Sequence, residues 1–155
     1  MAGYSQRSLA QKLGFKEGQK VLFVAAPADY EKTLGPLPAG ILARHATFAQ
    51  VQAKAIAKAG PFDFAQCFCR ETSELRSIFP ALKNLLATQG MLWVSWPKRI
   101  KGSSANAAPA AVSFDPLTEN QAREIGLKSG LVDIKVCAVD EIWSGLKFVV
   151  RLKDR

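Results

Sequence analysis

The order of four short apolar runs constrains the fold of this chain more than any other feature. The runs lie at residues 21–26, 41–43, 62–69 and 91–96, and a helix-forming segment follows each of them. Continuous apolar runs of this length are typical of strands that are buried on both faces of a parallel sheet. The repeated strand–helix order therefore predicts a mostly parallel, twisted sheet with helices on both faces.

A C-terminal hairpin completes the predicted sheet. Apolar and polar residues alternate over residues 132–138 and again over residues 146–152, with a short connection between them. This alternation is typical of an antiparallel pair with one partly solvated face. The chain is thus predicted to form one three-layer α/β domain over residues 1–155, with about six strands. Residues 101–116 are rich in Ala, Ser, Gly and Pro, and we expect a long flexible loop there.

Helix boundaries are indicated by capping patterns. Two T-x-x-Q boxes begin at Thr47 and Thr118, and the first helix is expected to extend to residue 59. Another helix, with a strong apolar periodicity, begins at Thr72. Pro80 lies inside that periodicity and predicts a kink or a break into two helices.

The charge balance favours anionic partners. The formal net charge is +8, which suits an anionic small molecule, nucleic acid or an acidic protein. A soluble surface with excess lysine is the alternative reading. The positive residues are spread along the chain, apart from a cluster at Lys98, Arg99 and Lys101, and this is weaker than a nucleic-acid-binding stripe.

Three cysteines lie in apolar runs without the spacing of a disulfide framework, which favours a reducing cytoplasm. Cys67 and Cys69 share a strand face, but this pair alone is poor evidence for zinc. No apolar stretch has the length of a membrane span or a signal peptide. We expect a cytoplasmic monomer or small homo-oligomer that binds no metal and no membrane.

The candidate ligand site is the rim formed by the carboxyl ends of the strands, where open α/β sheets bind ligands. Lys98, just past Pro97, could hold a phosphate or carboxylate, or could form a purely structural ion pair with Asp140 or Glu141. Ser95 requires a hydrogen-bond partner if it is buried. The residues predicted to contact a ligand are Asp29, Tyr30, Arg70, Ser95, Lys98, Arg99, Asp140, Glu141 and Trp143.

The three tryptophans are expected to differ in their positions and contacts. Trp93 and Trp96 differ in parity along their strand, so they should point to opposite faces and pack in the core. Trp143 lies in the hairpin connection, where either packing or ligand contact is expected. A Ser-His-Asp relay would have to use His45, the sole histidine, and no nucleophile-elbow motif is present. We therefore predict no catalytic residue.

Two motifs carry a resemblance to a known family. LWVSWPK (residues 92–98) and LVDIKVCAVDEIWSGLKFV (residues 131–149) resemble a family of small bacterial proteins known only as a domain of unknown function. Residues 4–27 and LGPLP (residues 34–38) fit the same family. Residues 105–114 look like an insertion relative to it. The resemblance implies no activity.

More distantly, the layout is similar to Rossmann-like S-adenosylmethionine methyltransferases, whose glycine-led apolar strand resembles QGMLWVSWP. The resemblance implies a truncated version of that fold, one strand–helix unit short. Three positions depart from it. The turn at residues 25–29 lacks the glycines that allow close backbone approach to a cofactor. Arg44-His45 stands where an acid for the ribose is expected, and Cys67-Phe68-Cys69-Arg70 replaces an Asp/Asn-Pro-Pro-aromatic motif.

These departures favour a degenerate, non-catalytic methyltransferase-like protein with no cofactor, which binds an anionic small molecule or partner at the rim. Lys98, Arg99 and Trp143 would be its main contacts, with residues 101–116 as a lid. An active methyltransferase that binds S-adenosylmethionine through an atypical loop is the first alternative. A basic interaction module for RNA or an acidic protein is the second.

Overall fold

The computed structural model describes residues 8–98 and 115–155. The predicted contact Arg99 and most of the predicted loop 101–116 lie outside these residues. The strands are β1 Lys20–Val24, β2 Leu42–Ala46, β3 Phe62–Phe68, β4 Leu86–Pro97, β5 Leu131–Ala138 and β6 Trp143–Val150. The helices are α1 Leu9–Leu13, α2 Tyr30–Leu34, α3 Phe48–Gln52, α4 Thr72–Leu85 and α5 Glu119–Lys128, with short 3-10 turns at Ala57–Ala59 and Leu152–Asp154.

The six strands form one mixed sheet in the order β2-β1-β3-β4-β6-β5. The first four strands are parallel to their neighbours, whereas β6 pairs antiparallel with both β4 and β5. This confirms the predicted α/β sheet with its antiparallel C-terminal edge. The chain crosses from β2 to β3 with one short helix and one turn, so β2 is left at the other edge.

Capping explains where two of the short helices begin. Ser8 and Gln11 form a reciprocal capping box at α1, and Thr47 and Gln50 form the predicted one at α3. At α5 only one of the two hydrogen bonds of the expected capping box is present. The Thr118 hydroxyl accepts from the backbone N–H of Gln121, but the Gln121 side chain accepts a hydrogen bond from Thr72 at 2.7 Å. This contact joins α5 to the start of α4.

Two helix predictions are corrected. The helix expected over residues 47–59 ends at Gln52, because Lys54 adopts a left-handed φ of 60° that an α-helix cannot accommodate. The chain then continues as the 3-10 turn Ala57–Ala59. Of the two outcomes predicted at Pro80, a kink or a break, the break is wrong, because α4 is one helix from Thr72 to Leu85. Its apolar face, buried as the periodicity predicted, holds it against the sheet.

Three strand boundaries also differ from prediction. The last strand, expected over residues 146–152, is Trp143–Val150, so Trp143 lies in β6 rather than in the hairpin connection. The strand expected at residues 41–43 is Leu42–Ala46, so Arg44 and His45 lie within β2 rather than beyond its end. β4 begins at Leu86 and includes Gly90, which was expected to precede it. A Cβ on Gly90 would lie 2.9 Å from the backbone oxygen of Phe62, so only glycine fits this close strand contact.

The two sheet faces bury separate cores. One core lies under α3, α4 and α5 and includes Trp96, and the other lies under α1 and α2 and includes Trp93. The opposite orientation predicted for these two tryptophans is therefore confirmed. Trp93 is fully buried, and its indole N–H donates to the carbonyl oxygen of Leu13 at 2.9 Å, which fixes the end of α1 on the sheet. Gly145 leaves room for the Trp93 ring.

The hairpin departs from its predicted burial along β5. A register shift between Asp133 and Lys135 interrupts the alternation that the sequence suggested. As a result, Ile134 and Val136 are 55% and 48% exposed on the edge strand. No helix among the described residues combines the length and apolarity that crossing a membrane requires.

Gly126→Ala is expected to destabilise the fold by about 1–3 kcal/mol. A Cβ at Gly126 would lie 2.0 Å from the Phe148 ring, so α5 must move off the sheet. Alanine's higher helix propensity, worth about 1 kcal/mol, does not compensate. Urea unfolding followed by circular dichroism measures the change. Lys128→Ala, at an exposed site on the same helix, is the control and should change stability by less than about 0.5 kcal/mol. An equal loss of stability in the Gly126 and Lys128 variants would contradict this expectation.

Candidate functional site at the strand-end rim

The rim is built from the turn after β1, the ends of β3 and β4, and the connection between β5 and β6. Ala25 ends β1 with a left-handed φ of 58°, and its N–H donates to the Ala46 carbonyl oxygen at 2.9 Å. Asp29 has a φ of 59° and stands at the N-cap of α2, exposed and without a side-chain capping bond. Left-handed backbone is disfavoured for residues with a Cβ, so this turn depends on its surroundings.

Tyr30, the first residue of α2, is buried in the core on the α1 and α2 face of the sheet. It is 2% exposed, and its ring makes edge-to-face contacts with Phe23 and Phe68, at centroid distances of 5.6 and 4.8 Å. Its hydroxyl donates to Oε1 of Gln66 at 2.7 Å. Burial raises the pKa of Tyr30 well above its ordinary value, so the hydroxyl stays neutral and able to donate. Tyr30, predicted as a ligand contact, thus lies beneath the rim surface.

Gln66 continues this hydrogen-bonded chain into the sheet. Its Nε2 donates to Oγ of Ser95 at 3.0 Å, and both side chains are fully buried. Ser95 is thus buried and has the hydrogen-bond partner that burial requires. Ser95 is therefore also inside the protein rather than on the ligand-accessible rim. Within residues 8–98 and 115–155, no buried side-chain nitrogen or oxygen lacks a partner.

Trp143 closes the rim on the hairpin side. It is 6% exposed and stands edge-on to Phe68, with ring centroids 5.1 Å apart at 89°. The guanidinium carbon of Arg70 lies 5.1 Å from the centre of the Trp143 ring, within cation–π range. Arg70 itself is exposed. The aromatic rings of Tyr30, Phe68 and Trp143 thus form a continuous row across the strand ends, with one cation over it.

The structural ion pair considered for Lys98 does not form. Among the described residues, no carboxylate lies within ion-pair distance of Lys98. Asp140 uses one carboxylate oxygen to accept from the N–H groups of Ile142 and Trp143, at 2.8 and 2.7 Å. Such local turn bonds are typical of aspartate. Glu141 is exposed at the tip of the same turn.

The predicted contacts are only partly brought together. The backbone N–H of Lys98 donates to the Ile142 carbonyl oxygen at 2.7 Å, which holds the end of β4 beside the hairpin turn. However, Pro97 pairs with Trp143, and strand alternation directs Lys98 to the opposite face, with Trp96. Arg70 and Trp143 share the face of α1 and α2. The rim is therefore divided between two faces of the sheet.

The remaining polar candidates have structural partners. His45 lies 2.6 Å from Glu31 of α2 and packs near the Phe23 ring. The thiols of Cys67 and Cys69 are free and buried, and the neighbouring Cys67 raises the pKa of Cys69. Within the described part of the chain, no group of three His, Cys, Asp or Glu side chains is placed to bind a metal ion.

A pocket of about 320 Å³ lies at the opposite end of the sheet. It is bounded by α3, the segment before β3 and the last turn of α4, with Val51, Lys54, Pro61 and Leu85 among its lining residues. Because ligands of open α/β sheets bind at the carboxyl ends of the strands, this pocket does not correspond to the expected site. No sequence signal pointed to it.

Sequence reasoning missed Gln66, which organises the rim. The available signal was its position, since it is the one amide side chain within the apolar run of residues 62–69. A buried amide requires partners, and a tyrosine and a serine at neighbouring strand ends could have been proposed as donor and acceptor.

The comparisons with known proteins concern the fold. No protein-family model matches the chain, and no curated protein matches it by sequence. The resemblance to a small bacterial family therefore stays a prediction. Among solved structures, the chain is similar to a SAM-dependent methyltransferase from Aquifex aeolicus. That match has 15% identity and a TM-score of 0.61, and covers 91% of this chain and 87% of the other.

Two further structures agree. Magnesium protoporphyrin IX methyltransferase from Synechocystis PCC 6803, with bound SAH, matches at 15% identity and a TM-score of 0.56, covering 87% of this chain and 75% of that one. Aeropyrum pernix fibrillarin, in complex with S-adenosyl-L-methionine, matches at 11% identity and a TM-score of 0.56, covering 91% and 73%. The chain has a methyltransferase-like fold. At these identities the likeness concerns the fold, and function must be argued from the site.

Tyr30→Phe is expected to cost about 1–3 kcal/mol of stability, because Oε1 of buried Gln66 loses its donor. Chemical denaturation at neutral pH measures this cost. Ser77→Ala is the matched control, since it removes a hydroxyl that accepts from the Gln52 side chain at 2.6 Å on the exposed surface. That change should cost less than about 0.5 kcal/mol. If the two variants lose equal stability, the buried chain does not hold the rim as described.

Proposed function

We propose that this protein is a degenerate, non-catalytic member of the methyltransferase-like fold that binds an anionic small molecule at the strand-end rim. The observation that carries the proposal is the row of Tyr30, Phe68 and Trp143 beneath the exposed Arg70 guanidinium. The row lies along the strand-end rim, and sheets of this type hold ligands beyond the carboxyl ends of their strands. The surface above this row carries the Arg70 guanidinium rather than an open cavity.

Arg70 is suited to hold an anion. Its planar guanidinium matches carboxylate and phosphate geometry, and stacking on an aromatic ring orients it without an acidic partner. No ion pair involves Arg70 within residues 8–98 and 115–155. The Asp140 carboxylate nearby is occupied by backbone N–H groups, so it competes less for the guanidinium. Lys98, which lies on the other face of the sheet, and Arg99, which is outside the described residues, stay predicted contacts. Asp29 and Glu141 stay proposed contacts on the exposed turns.

The turn after β1 supports the absence of methyl transfer. Close approach of backbone to a cofactor requires residues without side chains, and this turn carries Ala25, Pro27 and the buried Tyr30. To admit a cofactor there, Tyr30 would have to leave its hydrogen bond with Gln66 and its contacts with two phenylalanine rings. Such a movement exposes a buried aromatic ring and an unsatisfied amide, which opposes binding.

An active S-adenosylmethionine-dependent methyltransferase is the second candidate, and one observation favours it. Ala25 keeps a left-handed φ of 58° at the end of β1, a conformation that glycine adopts without strain. The turn thus has a backbone shape suited to a glycine-rich cofactor loop although the glycines are absent. The third reading, a basic module for RNA or an acidic protein, depends on residues 99–114 and stays a prediction.

Arg70→Met is expected to abolish anion binding at the rim while leaving the fold intact, because Arg70 is exposed and methionine keeps much of its apolar stem. Citrate and AMP serve as probes for carboxylate and phosphate. We expect at least one of them, at about 100 times its dissociation constant, to add about 2.7 kcal/mol of stability. This corresponds to a rise in melting temperature of roughly 5–10 °C.

Arg76→Met, at an exposed position on α4, is the matched control and should retain the full rise. Failure of both probes to stabilise the parent protein contradicts the proposal. An equal rise in the parent and in Arg70→Met would place the anion elsewhere and would also contradict it.

A further inference from the structure

A second group of positively charged side chains lies on the sheet face that packs against α1, away from the rim. Lys135 and Lys147 are directly opposite each other in the β5–β6 register. Nζ of Lys147 lies against Gly14, 3.4 Å from the position that a Cβ would take there. Nζ of Lys135 donates to the Lys12 carbonyl oxygen at 3.2 Å, at the end of the same helix. Lys16 follows two residues after Gly14, and its positive charge acts on Lys147.

These three lysines, Lys16, Lys135 and Lys147, are called the lysine cluster below. No ion pair within the described ranges joins any of them to a carboxylate. Lys147 is half-buried, whereas the other two are exposed. Burial lowers the pKa of Lys147, and the positive charges of Lys135 and Lys16 lower it further. Like charges directly opposite each other in a sheet are destabilising, so the cluster costs stability in the absence of a bound anion.

A purely structural role explains only part of this arrangement. Lysine side chains near a helix C-terminus can satisfy free carbonyl groups, as Lys135 does for Lys12. The adjoining Gly14 and Phe15 N–H groups already bond to α1 carbonyls, and Trp93 occupies the carbonyl of Leu13. One lysine is therefore sufficient for the helix end. The additional charges of Lys147 and Lys16 are left without a structural explanation.

We propose that the lysine cluster binds a compact, multiply charged anion that carries phosphate groups. Lysine ammonium groups bind phosphate as point charges and can adjust on their flexible stems. Three of them around one helix end suit several closely spaced oxygen charges. The nearby aromatic residue Phe15 is buried and stacked on Phe64, with ring centroids 4.0 Å apart. It offers no exposed ring for the base stacking that single-stranded nucleic acid uses.

The cluster is separate from the rim site. Lys147 lies four residues along β6 from Trp143, which is roughly 13 Å at the rise of a strand. It also lies toward the amino ends of the parallel strands, since its partner in β4 is Trp93 rather than Pro97. Substitutions at the cluster therefore test a different site from Arg70→Met.

Titration with inorganic pyrophosphate, followed by the amide NMR signals of Gly14, Lys16 and Lys147, tests the proposal. We expect saturable shifts at these amides, and about tenfold weaker binding in Lys147→Met and in Lys135→Met. Lys58→Met, at an exposed lysine after α3, is the control for net charge and should leave the affinity within about twofold. Arg70→Met should also leave it unchanged. Circular dichroism checks that each variant is folded, and Lys147→Gln provides a second variant if Lys147→Met is not.

Three results would overturn the proposal. The first is the absence of saturable shifts at Gly14 and its neighbours, which leaves the lysines as solvated surface. The second is an equal loss of affinity in Lys58→Met and Lys147→Met, since net charge alone then explains binding. The third is displacement of pyrophosphate by an oligothymidine that binds through the same lysines with far higher affinity, because the surface would then recognise nucleic acid.

Discussion

The buried side chain of Gln66 connects the parts of this protein on which its functional properties depend. Its carbonyl oxygen accepts from Tyr30 after β1, and its amide donates to Ser95 on β4, so one residue of β3 links three strand ends. A buried amide that loses either partner carries a desolvation cost of about 1–3 kcal/mol. The turn after β1 and the end of β4 are therefore coupled. The position of Tyr30 is set by this chain of hydrogen bonds.

This coupling explains how the fold can resemble methyltransferases while the site differs. The sheet order, the helices on both faces and the antiparallel β6 depend on apolar burial at many positions. A cofactor site depends instead on a few residues at the strand ends. Here Tyr30, Phe68 and Trp143 lie at the rim and form a row, with Tyr30 packed against Phe68 and Phe68 packed against Trp143. The fold alone therefore does not decide the chemistry of the site.

The sequence allowed the architecture to be predicted because apolar periodicity reports burial directly. Continuous runs gave the parallel strands, alternation gave the hairpin, and parity placed Trp93 and Trp96 on opposite faces. Local backbone conformation was less predictable. Nothing in the composition of residues 47–59 indicates that Lys54 adopts a positive φ and ends the helix early. The exposed Ile134 and Val136 likewise follow from a register shift that the alternating pattern conceals.

The site was harder to predict because its contacts join residues that are distant in sequence. Tyr30 and Gln66 are 36 residues apart, and the local sequence around either residue does not indicate its contact with the other. The Lys98 ion pair does not form, and Asp140 instead accepts from the N–H groups of its own turn. The location of the rim was predictable from topology, whereas the division of its residues between two faces required the register of β4 and β6.

Calorimetric titration of the purified protein with S-adenosylmethionine tests the central claim most directly. The account predicts no saturable heat and no displacement of Tyr30 from its buried position, because the hydrogen-bonded chain through Gln66 and the aromatic row hold this side chain in the core. Saturable one-to-one binding of S-adenosylmethionine, accompanied by changes in the NMR signals of Ala25 and Tyr30, would contradict it. That result would show that the turn after β1 opens to admit a cofactor.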